Sequence, residues 1–318
     1  MSKKILANDG ISNSGVLALE AAGYEVLTTN VAQEQLANFI NEEQITGLLV
    51  RSATQVRKEL IDACPGLRLI GRGGVGMDNI DVAYAREKGL HVINTPASSS
   101  ASVAELVFAH LFGGVRFLYD ANRNMPLEGD KNFKGLKKNY GKGTELRGKT
   151  LGVLGFGRIG QATAKIALGI GMKVIYHDPF LEEAQINLPF YDGQSVSFNL
   201  KSCSKEELLK SSDFITLHVP AQKEYVIGKA DFEIMKNGVG LVNAARGGVI
   251  DEVALVAAID SGKVSFAGLD VFESEPVPEV RILMHPKISL SPHIGAATGE
   301  AQDRIGTELA EQIIQLLD

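Results

Sequence analysis

Short apolar runs alternate with longer amphipathic segments along most of the 318-residue chain. In the first third, the apolar runs predict strands at Lys4–Ala7, Glu25–Thr28, Gly47–Val50, Leu67–Gly71 and His91–Asn94. The segments between them, such as Gly15–Ala22 and Gln33–Glu43, repeat Leu, Ile and Phe at helical spacing. Strands that alternate with helices in this way predict a parallel sheet with helices on both faces.

The same pattern resumes in the second half, after an interruption at Pro96 and the Ala-Ser-Ser-Ser run that follows it. Ser102 has the residue type of a helix N-cap, and we expect a helix over Val103–Phe112. Further strands are predicted at Thr150–Leu154, Lys173–Tyr176, Phe214–His218, Gly240–Asn243, Phe266–Leu269 and Ile288–Leu290. The chain therefore contains a second set of strands and helices of the same kind.

Two stretches break this alternation. Met125–Lys149 is rich in Lys and Gly, and it is interpreted either as a solvated loop or as an arm between subunits. Ile186–Ser204 is polar and irregular, and we expect it to be an excursion on the surface. No fixed-period repeat is present, which excludes a solenoid.

Composition and charge narrow the class of protein. Hydrophobic residues make up 45% and charged residues 22%, as in ordinary globular proteins, and the length favours two domains. The net charge of −6 argues against general binding to nucleic acid or acidic membranes, and no apolar run reaches the roughly 18–20 residues of a membrane helix. Cys64 and Cys203 lack the spacing of metal ligands, and the start MSKKILANDG does not resemble a signal peptide. We expect a cytoplasmic protein without a metal.

Two glycine-rich loops match the G-x-G-x-x-G pattern, one at Gly71–Gly76 and one at Gly155–Gly160. A dinucleotide site also needs a helix that begins at the loop and an acid about 20 residues further on. The second loop runs into the helical segment QATAKIALGI, and the next strand ends at Asp178; the first loop has no acid at the corresponding place. The second loop is therefore the predicted cofactor site, and Asp178 favours NAD because a carboxylate repels the 2′-phosphate of NADP.

The first loop has a different interpretation. Arg51 and Arg72 both follow predicted strands, among small residues, and ligands of parallel sheets bind beyond the carboxyl ends of strands. These arginines favour an anion site in the first domain. The alternative is that both are surface charges and that the glycines only permit a tight turn.

Three polar segments follow strands of the second half, and they contain Arg246, the acids Asp270, Glu273 and Glu275, and His293. Hydride transfer between a carbonyl and a hydroxyl needs a histidine to move the proton and an acid to orient that histidine. It also needs an arginine to bind a substrate carboxylate. The ends of neighbouring parallel strands lie close together, so these residues fit such a site.

Five motifs along the chain, GVGMDNID, VLGFGRIG, NAARGGVID, GLDVFESEP and SPHIGAAT, together resemble the D-isomer-specific 2-hydroxyacid dehydrogenase family. The resemblance covers essentially the whole chain. VRSAT, GRGGVGMDNID and NTPASSSASVAELV are most similar to the branch of the family that acts on D-3-phosphoglycerate.

The resemblance implies a role for each matching residue. His293 is the implied acid/base, Glu275 its partner, and Arg246 the contact to the substrate carboxylate and carbonyl. The implied cofactor contacts are Gly155, Gly157, Arg158, Ile159, Gly160, Asp178, Val219, Ala244, Ala245, Arg246, Asp270, His293, Gly295 and Ala296. The implied substrate contacts are Arg51, Ser52, Arg72, Asn94, Arg246 and His293.

The resemblance also implies an α/β fold of two doubly wound parallel-sheet domains. A Rossmann NAD domain at 100–291 is inserted in a flavodoxin-like substrate domain at 1–99 and 292–318. A homodimer through the second domain and the 125–149 arm is expected, and no C-terminal regulatory domain is expected after Asp318.

The activity implied is NAD-dependent oxidation of D-3-phosphoglycerate to 3-phosphohydroxypyruvate, the first step of serine biosynthesis. One alternative is the same chemistry on another substrate, such as lactate, glycerate, glyoxylate or a longer 2-keto acid. Another is an NAD-sensing protein similar to the corepressors of this family.

Overall fold

The computed structural model describes residues 3–317; residues 1, 2 and 318, which belong to the predicted substrate domain, lie outside the described part. The strands are β1 (Lys4–Ala7), β2 (Glu25–Leu27), β3 (Gly47–Val50), β4 (Leu69–Arg72), β5 (His91–Asn94), β6 (Thr150–Leu154), β7 (Lys173–His177), β8 (Glu183–Pro189), β9 (Ser195–Lys201), β10 (Phe214–Leu217), β11 (Val239–Asn243), β12 (Val264–Leu269) and β13 (Ile288–Leu290).

The helices alternate with these strands. They are α1 (Asn13–Ala21), α2 (Leu36–Glu42), α3 (Lys58–Ala63), α4 (Val82–Glu87), α5 (Ser100–Val115), α6 (Leu118–Glu128), α7 (Phe133–Asn139), α8 (Arg158–Gly169), α9 (Lys205–Ser211), α10 (Lys229–Ile234), α11 (Glu252–Asp260), α12 (Val280–Leu283) and α13 (Gly299–Leu317).

The chain divides into two compact units. Unit 1 is Met1–Ser102 with Ala296–Asp318, and unit 2 is the continuous segment Val103–Gly295. The chain thus crosses between the units a few residues later than the resemblance implies. The first and last residues of unit 2 lie together, because a Cβ built on Gly295 would be 3.3 Å from a side-chain methyl carbon of Val103.

Unit 1 contains one five-stranded sheet in the order β2-β1-β3-β4-β5, and every pair in it is parallel. This is the predicted flavodoxin-like order. The central strand β3 is fully buried and its neighbours β1 and β4 are buried over three of four residues, as a parallel sheet covered by helices requires, whereas the edge strands β2 and β5 are partly exposed. Helices α1 and α13 meet at Gly15 and Gly306, where a Cβ on Gly15 would be 2.8 Å from backbone atoms of Gly306. Side chains larger than glycine would force these helices apart.

Unit 2 contains a six-stranded parallel sheet in the order β13-β12-β11-β10-β6-β7. The chain starts this sheet at β6, adds β7 on one side, and then adds β10 to β13 on the other. The strand order therefore reverses between β6 and β10, which is where ligands of doubly wound sheets bind. The predicted fold class, two doubly wound parallel sheets, is confirmed.

Three local expectations need correction. The 186–204 segment lies largely at the surface, as expected, but it is not irregular, because most of it belongs to an antiparallel hairpin of β8 and β9 in which Ile186 pairs with Phe198. Helix α5 begins at Ser100, so Ser102 lies inside it and does not cap it. The 125–149 segment is not simply a solvated loop, because it contains the end of α6 and all of α7.

Within residues 3–317, each helix taken singly is too short or too polar to span a membrane. The pair α5 and α6, which is bent by 55°, meets the length and composition test when the two are taken together.

Candidate active site

Polar and small residues follow the carboxyl end of every strand in the six-stranded sheet. Because the strands are parallel and in register, these ends form one edge. The predicted residues at this edge are Gly155 after β6, Asp178 after β7, Val219 after β10, Ala244–Arg246 after β11, Asp270 after β12 and His293 after β13. The structure therefore brings the predicted cofactor and catalytic residues of unit 2 to one edge. Ala296 belongs to unit 1.

The glycine loop at 155–160 turns directly from β6 into α8. Gly155 has a φ of +86°, and a Cβ there would be 2.5 Å from the carbonyl oxygen of His218 and 3.0 Å from a methyl carbon of Val219. A Cβ on Gly160 would collide with the carbonyl oxygen of Gly155, so this glycine lets the helix approach the strand. Gly157 is the N-cap of α8 and has open space around its Cβ position.

The start of α8 fits the pyrophosphate of a dinucleotide. No side chain caps this helix within the described chain, so its first N–H groups are available to an anion, and the helix dipole favours negative charge there. The open surface at Gly157 allows a ligand to approach the backbone closely. Arg158 at the first turn is exposed, and Ile159 is half-buried. These features fit NAD.

Asp178 lies at the end of β7, where a ribose is bound in dinucleotide sites. One of its carboxylate oxygens accepts a hydrogen bond from the N–H of Phe156 at 2.7 Å, and the other accepts from the N–H of Phe180 at 2.9 Å. Asp178 therefore also supports the shape of the glycine loop.

His293 and Glu275 form a hydrogen-bonded pair, with 2.9 Å between Nδ1 of the ring and Oε2 of the carboxylate. Their side chains are 41% and 37% exposed, so both remain accessible. The other carboxylate oxygen of Glu275 accepts from the N–H of Phe272 at 3.0 Å. This second bond fixes the carboxylate, and the carboxylate in turn orients the imidazole.

The backbone at His293 is in the left-handed region, with a φ of +54°. Non-glycine residues rarely adopt this region, and the strain costs about 1–3 kcal/mol. Asp270 stabilises it: its carboxylate accepts from the N–H groups of Ile294 and Gly295, each at 2.8 Å. Asp270 is only 1% exposed. The two residues after His293 are therefore held from inside the unit.

Arg246 is presented by a loop that is closely packed. The side chain of Asn243 donates to the carbonyl of Arg246 at 2.9 Å and accepts from the N–H of Ala245 at 3.1 Å. Ala244 and Ala245, which precede Arg246 in this loop, are buried. A Cβ on Gly247 would collide with the carbonyl oxygen of Phe272, so the Arg246 loop lies directly against the segment that contains Glu275.

Some supporting residues were missed at the sequence level. Asn243 is one; its position at a strand end is a signal that could have identified it. Glu252 is another: its carboxylate and that of Glu273, an acid already noted in the sequence, each accept from the backbone N–H of the other residue at 2.9 Å. Burial raises the pKa of Glu252. This reciprocal pair ties the start of α11 to the segment before Glu275.

The predicted substrate residues of unit 1 also lie at one sheet edge. Arg72 and Asn94 end β4 and β5 and pair with each other in register, and Arg51 with Ser52 follows β3. The side chains of Arg51 and Arg72 lie beside two consecutive glycines of the 71–76 loop, Gly73 and Gly74 respectively. A Cβ on Gly73 would be 3.7 Å from Cγ of Arg51, and one on Gly74 would collide with Nη1 of Arg72.

Buried and partly buried polar side chains that were not predicted support this edge. The Asp9 carboxylate accepts from the N–H of Arg51 at 2.7 Å and from the N–H and hydroxyl of Thr54. The amide of Asn79 donates to the carbonyls of Arg51 and Thr54 at 2.9 and 2.6 Å. Ser52, between these anchors, is exposed. The loop after β3 is thus held at both ends.

A cavity of about 590 Å³ lies elsewhere in unit 2, at the opposite edge of the sheet. It is lined by residues near the amino ends of strands, among them Lys149, Asp213, Val239 and Phe266. It shares no lining residue with the edge that contains His293, so the chemistry and not the size of the cavity identifies the site.

The chain matches one family model and is similar over almost its whole length to curated proteins. Residues 108–295 match the model described as D-isomer specific 2-hydroxyacid dehydrogenase, NAD binding domain. A hydroxypyruvate reductase from Thermotoga maritima is 41% identical over 99% of this chain and 98% of its own length. A D-3-phosphoglycerate dehydrogenase from Methanocaldococcus jannaschii is 40% identical over 99% of this chain. The chain spans just over half, 57%, of that relative's length.

The fold is similar to that of solved structures. NAD-bound 3-phosphoglycerate dehydrogenase of Entamoeba histolytica superposes with a TM-score of 0.77 and 28% sequence identity. The match covers 100% of this chain and 96% of that structure.

Proposed function

The chain belongs to the D-isomer-specific 2-hydroxyacid dehydrogenase family, an NAD-dependent group of oxidoreductases, and from that premise we propose that it oxidises D-3-phosphoglycerate to 3-phosphohydroxypyruvate. The observation that carries the choice of substrate is the placement of Arg51 and Arg72 along one glycine loop. Such a reaction would supply the precursor for serine synthesis.

His293 is the proposed acid/base. The carboxylate of Glu275 only accepts hydrogen bonds when it is ionised, so the proton of the neutral imidazole lies on Nδ1. Nε2 is then free of a proton and takes the one that leaves the substrate hydroxyl. When bound, NAD accepts the hydride from the carbon that carried this hydroxyl. Oxidation therefore needs neutral His293, whereas reduction needs its protonated form.

Arg246 is the proposed contact for the substrate carboxylate. A guanidinium binds a carboxylate through two parallel hydrogen bonds, and this geometry orients the neighbouring carbinol carbon. Asn243 and Gly247 fix the backbone that presents the side chain. Orientation of this kind matters because small errors in position reduce the rate strongly.

Arg51 and Arg72 are the proposed contacts for the phosphate. Two guanidinium groups supply the charge and the donors that a phosphate dianion requires. The anchors Asp9 and Asn79 support this assignment, because they hold the loop of Arg51 in one conformation. Ser52 and Asn94 are at the same sheet edge and are further candidate contacts.

Hydroxypyruvate is the second candidate, with D-glycerate as its reduced form. It is favoured by the hydroxypyruvate reductase from Thermotoga maritima, which this chain covers almost completely. The two reactions differ only in the phosphate group, so the same Arg246, Glu275 and His293 serve both. The choice between the two substrates therefore depends on whether Arg51 and Arg72 bind a phosphate.

The test measures NADH formation with D-3-phosphoglycerate, D-glycerate and D-lactate at equal concentrations. We expect the phosphorylated acid to have the largest kcat/KM. A preference for D-glycerate would replace the proposed substrate with the second candidate. Binding of NAD without turnover of any hydroxy acid would overturn the enzyme proposal in favour of an NAD sensor.

Matched variants test the phosphate contacts. Arg51→Gln and Arg72→Gln should each lower kcat/KM for D-3-phosphoglycerate about 10-fold to 100-fold, which corresponds to one lost charge-assisted hydrogen bond. The same variants should change kcat/KM for D-glycerate far less. Arg86→Gln, at an exposed position in α4, is the control. Equal losses for both substrates would exclude a phosphate-specific role.

A second copy of the chain is the proposed partner, in the cytoplasm. Large apolar side chains are exposed along α5, α6 and α7, and they include Phe112, Leu118, Leu127 and Phe133. Apolar patches of this kind mark interaction surfaces. Light scattering of Leu127→Glu and Phe133→Glu should report monomers where the unmodified chain is a dimer.

A further inference from the structure

His110 is a buried histidine of α5 to which the proposed chemistry gives no role. Its side chain is 5% exposed, and both ring nitrogens are hydrogen-bonded. Nδ1 is 2.9 Å from the hydroxyl of Ser289, and Nε2 is 3.0 Å from the hydroxyl of Ser291. The two serines lie on and directly after β13, so His110 connects α5 to the strand that leads to His293.

The direction of each hydrogen bond follows from the number of protons available. The Ser291 hydroxyl has a single proton, and it donates that proton to Oδ1 of Asp270 at 2.6 Å. Ser291 must therefore accept from Nε2–H of His110. In a neutral imidazole Nδ1 is then an acceptor, and it receives the proton of Ser289. The chain of bonds runs from Ser289 through His110 and Ser291 to Asp270.

Burial supports this assignment, because it lowers the pKa of His110, an effect that the charge of Asp270 opposes only in part. The ring is therefore neutral at pH 7, with one protonated and one unprotonated nitrogen. A glycine makes room for it: a Cβ on Gly268 in β12 would be 2.6 Å from Cβ of His110.

The chain of bonds ends at the backbone of the proposed catalytic residue. Asp270 accepts from the N–H groups of Ile294 and Gly295, directly after His293. Ser291, two residues before His293, is held by Asp270 and His110 together, and its carbonyl accepts from the N–H of His293 at 3.1 Å. The strained backbone of His293 is thus fixed from both sides.

We propose that His110 is a positioning residue that holds His293 in its reactive orientation through Ser291 and Asp270. The proposal rests on the acid/base role of His293 given above, but it does not depend on which hydroxy acid is the substrate. A hydrogen-bond chain with one permitted direction orients its last member more rigidly than separate contacts do, because its members polarise one another. Without Nε2–H, the Ser291 hydroxyl loses the donor that fixes its orientation towards Asp270.

Three substitutions at position 110 test this idea, measured with whichever hydroxy acid the unmodified protein oxidises fastest. His110→Leu removes both bonds and should lower kcat about 10-fold to 100-fold, as misplaced catalytic groups do. His110→Gln places an amide N–H near the position of Nε2 and should restore most of kcat. His110→Asn reaches only towards Ser289 and should resemble the leucine variant. A glutamine variant no better than the leucine variant would contradict the proposal.

A pair of serine variants provides a test that does not require a substitution at His110. Ser291→Ala cuts the chain before Asp270, whereas Ser289→Ala removes only its outer end. We expect a clear loss of kcat for Ser291→Ala and a small change for Ser289→Ala, while the two lose similar stability. Equal kcat losses, or losses that follow the melting temperature alone, would indicate a merely structural role.

A double-mutant cycle shows whether the two groups act through one chain. His110→Leu combined with Ser291→Ala should lower kcat no more than the stronger single substitution, because either one breaks the same connection. Additive losses would overturn the proposal.

Nitrogen NMR of histidine-labelled protein gives a readout that is independent of activity. We expect His110 to show a protonated Nε2 and an unprotonated Nδ1 at neutral pH. The opposite tautomer would overturn the proposal even if the protein is active. If instead no hydroxy acid is turned over while this tautomer is found, the proposed function fails and the hydrogen-bond chain stands.

Discussion

The two glycine-rich loops share one sequence pattern and differ in what the glycines do. At the loop of residues 71–76, the space beside Gly71, Gly73 and Gly74 is occupied by the protein itself. A Cβ on Gly71 would be 2.6 Å from a methyl carbon of Leu49, and one on Gly73 would be 3.2 Å from a methyl carbon of Ile305. At the loop of residues 155–160, the space beside Gly157 is open and a helix begins there.

This difference shows why the pattern alone does not identify a nucleotide site. Glycines of the first loop admit side chains of unit 1, including the two arginines. Glycines of the second loop bring α8 close to β6 and leave its N-terminus bare for an anion. The helix that begins directly at the second loop distinguishes it from the first, and the sequence already predicts that helix.

Gly155→Ala is expected to have the largest effect. Alanine at a φ of +86° is strained, and its Cβ would press on the carbonyl of His218, so the free energy of unfolding should fall by about 3 kcal/mol or more. Urea denaturation measures this loss. Gly148→Ala is the control, because Gly148 also has a positive φ but has open space around it. Equal losses for the two variants would mean that the contact with His218 contributes nothing.

Acid should destabilise the protein through His218, which lies beside the loop of residues 155–160. Burial lowers the pKa of His218 to about 3, and Nδ1 has no hydrogen-bond partner within the described chain. The unfolded chain binds a proton at this histidine near pH 6.5, whereas the folded protein does not, so stability should be lost as the pH falls below 6.5. The loss from His218 should reach about 2 kcal/mol at pH 5.

Denaturation at several pH values tests this expectation. His218→Asn should reduce the acid dependence, and His91→Asn, at an exposed position in unit 1, should not. His110 adds to the same loss, because burial lowers its pKa as well. Stability that stays level between pH 7 and pH 5 would contradict the buried, neutral state of both rings.

Gly157→Val should separate binding from folding. Its φ of −69° suits any residue and nothing lies near its Cβ, so the expected cost to stability is only the loss of a preferred N-cap residue, about 1 kcal/mol. The new side chain would occupy the space of the pyrophosphate, and the affinity for NAD should fall about tenfold, or about 1.4 kcal/mol. Isothermal titration calorimetry with NAD measures this affinity. Unchanged affinity would mean that the pyrophosphate does not lie at this turn.

Gly73→Ala should have the smallest effect and provides the counterpart in the first loop. Its Cβ would touch Ile305 and need a shift of a few tenths of an ångström, which should cost less than about 1 kcal/mol. The affinity for NAD should be unchanged. A loss of NAD affinity equal to that of Gly157→Val would remove the distinction between the loops.

Most of the sheet could be predicted because buried parallel strands are continuous apolar runs. The predicted bounds of β1, β3, β5, β6 and β13 agree with the structure. The hairpin was missed because only every second residue is apolar. Ile186 and Phe198 face inwards, while Gln185 and Asn199 face solvent. Because apolar and polar residues alternate, the mean hydropathy of the segment is low and it resembles a polar loop.

In the site, the functional residues at strand ends could be predicted from the sequence, whereas the side chains that hold their loops by hydrogen bonds could not. Asp178 follows its strand in the sequence, and it lies there in the structure. Asn79 holds the loop of Arg51 from 28 positions away in the chain, and Asp9 holds the same loop from 42 positions away. Such contacts depend on tertiary structure, so no local pattern indicates them.

The contact between Val103 and Gly295 has a consequence for the history of the chain. A segment whose two ends meet can be excised from one host and transplanted into a surface turn of another, and the host need not open to receive it. Arg246, Glu275, His293 and the glycine loop would travel together in such a transplant. The arginines at 51 and 72 would stay behind, so a new host could bring a different substrate to the same hydride chemistry.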